Sequence, residues 1–271
     1  MNLEGIVIRV YGKFCVIYYD NKEIKAYIKR TVKGAWKNQV KKVVVGDNVK
    51  FEHRSDGDAL VYEILQRKTW LTRKTLKRFG KQQVMVTNVD KLLIVTSIYA
   101  PLFHPGIIDR FLIAAHKGNL KTGIILNKVD LKSKEKKWDE ILKQLDIYKE
   151  LGYDVFFTSI NIPETLDKFR EELKNQITIL AGHSGVGKSS LLTTIDPDLE
   201  LAVSALNPKT KRGQHTTTNV KLMPVKCGGY VVDTPGIREF ALWDLDAKEL
   251  PHYFPEIESR LHLCKFNTCS H

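Results

Sequence analysis

Residues 122–131, TGIILNKVDL, decide the fold because they end an apolar run with the tetrapeptide Asn127, Lys128, Val129 and Asp130. The carboxylate of Asp130 can accept hydrogen bonds from the ring N–H and the exocyclic amino group of guanine, whereas adenine offers no such pair of donors. Lys128 can lay its aliphatic stem along the base, and Asn127 can tie this loop to a phosphate-binding loop. Alone the tetrapeptide is a weak signal, so its meaning depends on what accompanies it.

A phosphate-binding loop follows at residues 182–190. The sequence GHSGVGKSS matches the pattern G-x-x-x-x-G-K-[ST] and stands between the apolar strand ITILA and the predicted helix KSSLLTTI. In such a loop backbone N–H groups wrap the phosphates, and the helix N-terminus adds partial positive charge. We expect Lys188 to reach the β- and γ-phosphates and Ser189 to ligate Mg²⁺. The predicted nucleotide contacts here are Gly182, His183, Ser184, Gly185, Val186, Gly187, Lys188, Ser189 and Ser190.

Two further segments complete a magnesium and γ-phosphate site. The apolar strand ending in VVDTPG provides Asp233, which can hold Mg²⁺ through water, and Gly236, whose N–H can reach the γ-phosphate. The polar segment NPKTKRGQHTTTNV lies before it, and a threonine in a nucleotide switch completes the Mg²⁺ shell. Thr217 is assigned to this role, with Thr216 and Thr218 as the alternatives.

The group that orients the attacking water is not evident from these motifs. Many GTPases place a Gln directly after Asp-x-x-Gly, whereas this chain has Ile237, so intrinsic hydrolysis is expected to be slow. His215 in the threonine-rich segment is the candidate catalytic residue, beside Lys188 and Thr217. Alternatively, His215 makes a structural hydrogen bond in a polar loop, and the missing group then comes from a binding partner.

The order of the motifs is a rotated version of the usual one. Ser159, at the end of the strand that follows Asn-Lys-Val-Asp, can offer a backbone N–H to the guanine carbonyl oxygen. The chain therefore reads base motif, second base motif, phosphate loop, threonine loop and Asp-x-x-Gly, whereas ordinary GTPases begin with the phosphate loop. Because each motif follows a strand, all can converge at one sheet edge whatever the order. A circular permutation explains the five motifs together.

The chain predicts more than one domain. Strands and helices alternate from residue 91 onward, which favours a mostly parallel sheet with helices on both faces. Residues 4–66 instead read as five short strands punctuated by turns, which suits a small β-barrel such as an OB-fold. Between them, residues 67–81 form a basic connector with no strand periodicity. The barrel aromatics are expected either to fill the core or to stack on bases: Tyr11, Phe14, Tyr18, Tyr27, Trp36 and Phe51.

Charge is concentrated in the first third of the chain. Residues 1–81 contain 19 Lys and Arg against 8 Asp and Glu, whereas residues 82–271 contain 24 against 23. This asymmetry favours a polyanionic partner, with nucleic acid preferred over a merely solvated lysine-rich surface. No apolar run approaches the ~20 residues of a membrane span, and no secretory signal or disulfide framework is predicted. A cytoplasmic protein that does not bind membranes is expected.

Taken with HPGIIDRFL, RGQHTTTNVKL, VVDTPGIREFAL and CKFNTCSH, these motifs resemble the circularly permuted, ribosome small-subunit-dependent GTPase A family (RsgA/YjeQ) over essentially the whole chain. The resemblance implies an OB-fold RNA-binding domain at 1–67, a basic linker at 68–81, a permuted GTPase domain at 82–241 and a zinc-binding domain at 242–271. It also implies GTP and GDP, Mg²⁺ and Zn²⁺ as cofactors. The implied function is subunit-stimulated GTP hydrolysis in late maturation of the small ribosomal subunit, through its rRNA, by a monomer.

Two departures from the family pattern bear on these expectations. The family usually has Ala after the last guanine-contacting Ser, and this chain has Ile160. The zinc pattern is matched by Cys264, Cys269 and His271, but a fourth Cys expected a few residues further on is not in the sequence, so the zinc domain is expected to be incomplete.

Two other classes of function remain open at this point. One is an RNA-binding module whose GTP site only regulates affinity, and the other is an ATP-using phosphate-loop enzyme such as a kinase. Subunit-stimulated turnover separates the first from a GTPase, and equal competition by ATP would favour the second.

Overall fold

The computed structural model describes residues 3–34, 42–54, 57–74, 82–199, 220–233 and 248–263. Within them the chain forms a small barrel, a two-stranded ribbon, a six-stranded sheet flanked by helices, and a short helical segment. In the same ranges no helix combines the length and apolar character that crossing a membrane would require.

The barrel is closed by five strands in the order β1-β2-β3-β5-β4, with β4 pairing back onto β1. The pairing of β3 with β5 is parallel, and the other four pairings are antiparallel. This arrangement fits the OB-fold that was expected from five short strands. The strands are β1 (Leu3–Tyr11), β2 (Phe14–Tyr19), β3 (Lys22–Gly34), β4 (Asn48–His53) and β5 (Ala59–Ile64).

The barrel aromatics differ in burial. Phe51 is fully buried in the barrel core, among Val7, Ile17 and other apolar side chains. Tyr11 and Phe14 instead stack on each other, with ring centroids 5.0 Å apart, and neither belongs to the buried core of the described residues. The position of Trp36 lies outside the described residues.

The basic connector contains a strand that the sequence did not predict. Strand β6 (Trp70–Lys74) pairs antiparallel with β7 (Gln82–Thr87), which leads into the α/β domain. Its pairing partner begins eight residues after β6 ends, so the strand depends on a contact that periodicity within residues 67–81 cannot reveal.

The central sheet has the strand order β10-β9-β8-β11-β13-β12. Every pairing is parallel except that of β12 with β13. The expected doubly covered α/β sheet is therefore present. Its strands are β8 (Lys91–Ser97), β9 (Lys121–Asn127), β10 (Asp154–Thr158), β11 (Ile177–Ala181), β12 (Lys221–Pro224) and β13 (Tyr230–Asp233).

Alternate residues of the buried strands face opposite layers of helices. In β8, Leu92 and Ile94 belong to the core cluster with residues of α1 and α2, whereas Leu93 and Val95 belong to the cluster with residues of α3 and α4. Four helices thus cover the two faces of the sheet: α1 (Pro105–Lys117), α2 (Trp138–Glu150), α3 (Leu166–Leu173) and α4 (Lys188–Ile195). Short 3-10 helices run over Val129–Lys134 and Pro163–Thr165.

A buried polar cluster joins the barrel to the α/β domain. Asp47, which is 0% exposed, accepts hydrogen bonds from Nε and Nη2 of Arg67 at 2.7 and 2.8 Å and from the Thr87 hydroxyl at 2.7 Å. A Cβ on Gly46 would lie 1.9 Å from the carbonyl oxygen of Thr87, so the two backbones approach too closely for any other residue. The apolar core is continuous here as well, because Ile8 shares a cluster with residues of the α/β domain.

The C-terminal segment begins with the 3-10 helix Leu250–Tyr253, followed by α5 (Pro255–Glu258) and a 3-10 turn at Leu261–Leu263. Tyr253 packs edge-on against His116 at the end of α1, with ring centroids 5.4 Å apart. The predicted zinc ligands Cys264, Cys269 and His271 lie outside the described residues. Among the residues that are described, no group of three or more His, Cys, Asp or Glu side chains is arranged to hold a metal ion.

Candidate nucleotide site

The sheet brings the predicted motifs to one edge. Strands β9, β10 and β11 run parallel and end at Asn127, Thr158 and Ala181, so the base motif, the second base motif and the phosphate loop all start from their carboxyl ends. β8 lies between β9 and β11, and β13 lies on the other side of β11 and ends at Asp233. Parallel strands place such loops side by side, which is the usual location of a ligand site in this class of sheet.

The phosphate loop has the backbone that its glycines require. Gly182 has φ +145°, and a Cβ there would lie 2.0 Å from the carbonyl oxygen of Val95. Gly187 has φ +97°, and a Cβ there would lie 2.4 Å from Nδ2 of Asn127. Both positions therefore admit only glycine, and the loop between them can turn its N–H groups toward a phosphate chain. Of the loop residues, His183, Ser184, Gly185, Ser189 and Ser190 are exposed.

Lys188 begins α4 and reaches back across this loop. Its Nζ donates hydrogen bonds to the carbonyl oxygens of Gly182 at 2.7 Å and His183 at 2.9 Å. The ammonium group is thereby held over the loop, where the β- and γ-phosphates would lie. Ser189 follows in the first turn of the helix. The glycine-containing loop, the Lys188 ammonium group and the Ser189 hydroxyl together fit a nucleoside triphosphate with Mg²⁺.

Asn127 ties the base motif to the phosphate loop. Its Nδ2 donates to the carbonyl oxygen of Val186 at 2.8 Å, and its Oδ1 accepts from the Thr158 hydroxyl at 2.9 Å. The side chain is only 2% exposed, so its hydrogen bonds link the two loops inside the protein. Lys128 makes a second link, because its Nζ donates to the carbonyl oxygens of Gly185, at 2.7 Å, and of Ala100. Val129 begins the 3-10 helix that follows.

Asp130 is oriented by two side-chain donors. Its Oδ1 accepts from the Ser159 hydroxyl at 2.6 Å, and its Oδ2 accepts from Nδ2 of Asn161 at 2.8 Å. Burial acts to raise the pKa of this carboxyl group, but the hydrogen bonds from Ser159 and Asn161, a backbone hydrogen bond and the charge of Lys134 act against it, and the pKa lies below its usual value. Asp130 is therefore a carboxylate at neutral pH and can accept the two donors of guanine.

The backbone N–H of Ser159, which the sequence offered to guanine, donates to Oγ1 of Thr165 at 2.9 Å in this structure. The same turn is closed by the Thr165 hydroxyl, which donates to the carbonyl oxygen of Ile162 at 2.6 Å. Ser159 also contributes its hydroxyl, to Asp130. The contact of the Ser159 N–H with guanine stays a prediction. Thr165 and Asn161 were both missed from sequence, because no motif marks either residue.

A cavity of about 250 Å³ lies between these loops. Its floor is the base motif and its far wall is the phosphate loop and the start of α4. One guanine base fits such a space in size and in donor chemistry. The lining residues are Asn127, Lys128, Asp130, Leu131, Ser159, Ile160, Asn161, Gly187 and Ser190.

The remaining predicted residues are only partly placed. Asp233 ends β13 at the same sheet edge, paired in register with Lys221. Thr217, with its alternatives Thr216 and Thr218, lies outside the described residues, as do His215 and Gly236. Their roles stay predictions.

Comparison with known proteins identifies a consistent set of relatives. A sequence model described as RsgA GTPase matches residues 64–243. A Halalkalibacterium halodurans protein named small ribosomal subunit biogenesis GTPase RsgA is 36% identical over 269 residues, covering 99% of this chain and 86% of its own length. The solved structure of YjeQ from Thermotoga maritima aligns with a TM-score of 0.77 and 30% identity, over 100% of this chain and 87% of that chain. The structure of YloQ, described as a circularly permuted GTPase, aligns with a TM-score of 0.74 and 28% identity, over 100% and 84% of the two chains.

Proposed function

This chain belongs to the RsgA GTPase family, and from that premise we propose that it hydrolyses GTP during the maturation of the small ribosomal subunit, on which it acts. The observation that carries the proposal is the convergence of Asp130 and the phosphate loop on one cavity. A carboxylate that can recognise guanine and a phosphate-binding loop line the same pocket. This combination favours a guanine nucleotide over any other ligand. The rotated order of the motifs matches the permutation in the description of YloQ.

Guanine selectivity rests on the ionised Asp130. Adenine presents no pair of donors to this carboxylate, so ATP would leave it partly unsatisfied. We expect excess ATP not to displace bound GDP, and this result separates a GTPase from a phosphate-loop kinase. Asp130→Asn is expected to weaken GTP binding and to admit a xanthosine nucleotide, whose additional carbonyl oxygen accepts from the new amide. Equal competition by ATP and GTP would contradict the guanine assignment.

Phosphates and Mg²⁺ are assigned to the other motifs. Lys188 would contact the β- and γ-phosphates, and Ser189 and Thr217 would ligate Mg²⁺ directly. Asp233 would hold the same ion through water, and the N–H of Gly236 would contact the γ-phosphate. When bound, the ion neutralises charge on the β- and γ-phosphate oxygens.

Activation of the attacking water is assigned to His215, because Ile237 cannot hydrogen-bond to it. Intrinsic turnover is then slow, and we expect docking on the subunit to bring His215 to the water. His215→Ala is expected to lose most of the subunit-stimulated turnover while it keeps GDP affinity. Near-wild-type stimulation of this variant would transfer the role to ribosomal RNA or protein.

The barrel and its basic flank are assigned to rRNA. The excess of Lys and Arg within residues 1–81 supports contact with a polyanion, and the closed five-stranded barrel is a common scaffold for nucleic acid. We propose that the protein works in the cytoplasm as a monomer. Raising the salt concentration is expected to weaken subunit binding much more than GDP binding, because counterion release accompanies only the former.

A zinc site is assigned to Cys264, Cys269 and His271, at the end of the segment 242–271. Two thiolates and one imidazole suit Zn²⁺ by donor type, and a water or another side chain would complete the tetrahedron. Metal analysis of the purified chain tests this assignment. Cys264→Ser is expected to lower the zinc bound per chain, and equal zinc content in the two proteins would remove the assignment.

The alternative, a GTP site that only regulates RNA affinity, makes a different prediction. In that case GTP would change subunit binding, but subunits would not raise turnover. Measuring phosphate release with and without purified small subunits separates the two.

A further inference from the structure

The two donors on Asp130 both line the cavity but differ in exposure. Ser159 is 1% exposed, and its hydroxyl donates to Oδ1 at 2.6 Å. Asn161 is exposed, and its Nδ2 donates to Oδ2 at 2.8 Å. The exposed side chain of Asn161 is therefore the donor that an entering base can displace.

Asn161 is held in this position by its own backbone. Its N–H donates to Oγ of Ser159 at 3.0 Å, while that hydroxyl donates to Asp130. The turn that carries it is closed by Thr165, whose Oγ1 accepts from the Ser159 N–H at 2.9 Å. The carboxamide of Asn161 is thus presented to Asp130 by a fixed turn, and only its side-chain torsions must change for it to leave.

The carboxamide offers the same kind of donor as guanine. Guanine presents two N–H donors to a carboxylate in this position, one from the ring and one from the exocyclic amino group. The amino group of Asn161 is likewise a neutral N–H₂ on an sp² carbon, and it already occupies Oδ2 from the cavity side. Ser159 also lines the cavity, but its hydroxyl donates to Oδ1 and leaves Oδ2 to Asn161.

We propose that Asn161 is a specificity-determining residue that competes with the exocyclic amino group of guanine for Oδ2 of Asp130. The inference rests on the proposed guanine site. Asn161 swings aside when guanine binds, so each binding event exchanges one hydrogen bond for another of the same type. The residue therefore lowers the affinity for guanine nucleotides and eases the release of GDP, while keeping Asp130 satisfied and pointed into the cavity.

Inosine diphosphate provides the discriminating probe, because its base has the ring N–H of guanine but no exocyclic amino group. Asn161 can stay on Oδ2 when this base binds. We expect Asn161→Ala to bind GDP about fivefold more tightly, as suits the loss of one competing exposed hydrogen bond, and to bind inosine diphosphate almost unchanged. Asn161→Leu, which keeps the size of the side chain but removes the donor, is expected to behave like Asn161→Ala. Titration calorimetry with both nucleotides on all three proteins measures this.

Three results would overturn the inference. Weaker GDP binding by Asn161→Ala would mean that Asn161 stays in place and orients Asp130 for the base. Unchanged GDP binding would mean that its hydrogen bond does not compete, and equal gains for both nucleotides would mean that the effect does not involve the amino group. Failure of the guanine site itself would be seen separately, as equal affinity of the wild-type protein for GDP and ADP.

Discussion

Replacing Asp47 by alanine removes the hydrogen-bond acceptor at the centre of the junction between the barrel and the GTPase domain. Asp47 is fully buried, and both of its oxygens are bonded to the guanidinium of Arg67, at 2.7 and 2.8 Å. It also accepts the hydroxyl of Thr87, the last residue of β7, at 2.7 Å. The variant therefore leaves a buried cation without its counter-charge, and it cuts the direct side-chain link from the barrel to β7.

The expected cost is large on the scale of protein stability. Removing one partner of a buried ion pair costs about 3–5 kcal/mol, because the remaining charge stays buried. Total stabilities of about 5–15 kcal/mol are usual, so this loss is a substantial fraction. We expect the free energy of unfolding of Asp47→Ala to fall by about 3–5 kcal/mol. Replacing both partners, as Asp47→Leu with Arg67→Met, is expected to cost less than Asp47→Ala alone, since no charge is then left buried.

Urea denaturation followed by circular dichroism measures the difference. Asp146→Ala is the matched control, because Asp146 forms an ion pair of 2.8 Å with Lys149 that is exposed on both sides. An exposed ion pair of this kind contributes less than about 1 kcal/mol to the free energy of unfolding. If Asp47→Ala lost no more stability than Asp146→Ala, the junction would not depend on the buried ion pair, and the reasoning would be refuted.

Three further changes have definite expected outcomes. Gly187→Ala would place a Cβ 2.4 Å from Nδ2 of Asn127 at a φ of +97°, and strain of about 1–3 kcal/mol should weaken GDP binding by about fivefold or more; unchanged calorimetric affinity would contradict this. The pKa of Asp130 is lowered, so the carboxylate form persists and the preference for GDP over ADP should stay level as pH falls from neutrality to about pH 5, because protonation of the terminal phosphate at about pH 6 affects both nucleotides alike; loss of this preference in a fluorescence titration over that range would show that another group controls it. Burial, aided by the nearby Asp47 carboxylate, raises the pKa of Cys15 to about 12, so mass spectrometry should find this thiol unlabelled by a thiol reagent in the folded protein and labelled in urea; equal labelling in both would refute the buried placement.

Much of the site could be predicted because its chemistry is local in sequence. The phosphate loop and the base motif each follow an apolar strand, and parallel strands carry them to one edge whatever their order in the chain. For this reason the side chain of Asn127 donates a hydrogen bond to the carbonyl oxygen of Val186, 59 residues later in the chain. This bond is the predicted link between the base motif and the phosphate loop. The five short barrel strands were likewise marked by their turns.

Other features could not be predicted, because they depend on partners that no pattern marks. The sequence around Asp47 reads as a turn, and only the folded chain brings Arg67 and Thr87 to it. The amide of Ser159 donates to the hydroxyl oxygen of Thr165, six residues later, and no motif marks that threonine. Asn161 is an exposed side chain in a loop, where neither periodicity nor a motif assigns a role.

The most direct test of the account is GTP turnover measured with increasing amounts of purified small ribosomal subunits. The account predicts slow hydrolysis by the protein alone, a rise with subunit concentration to a plateau, and no comparable rise when ATP replaces GTP. Turnover that is the same with and without subunits, or equal for the two nucleotides, would contradict it.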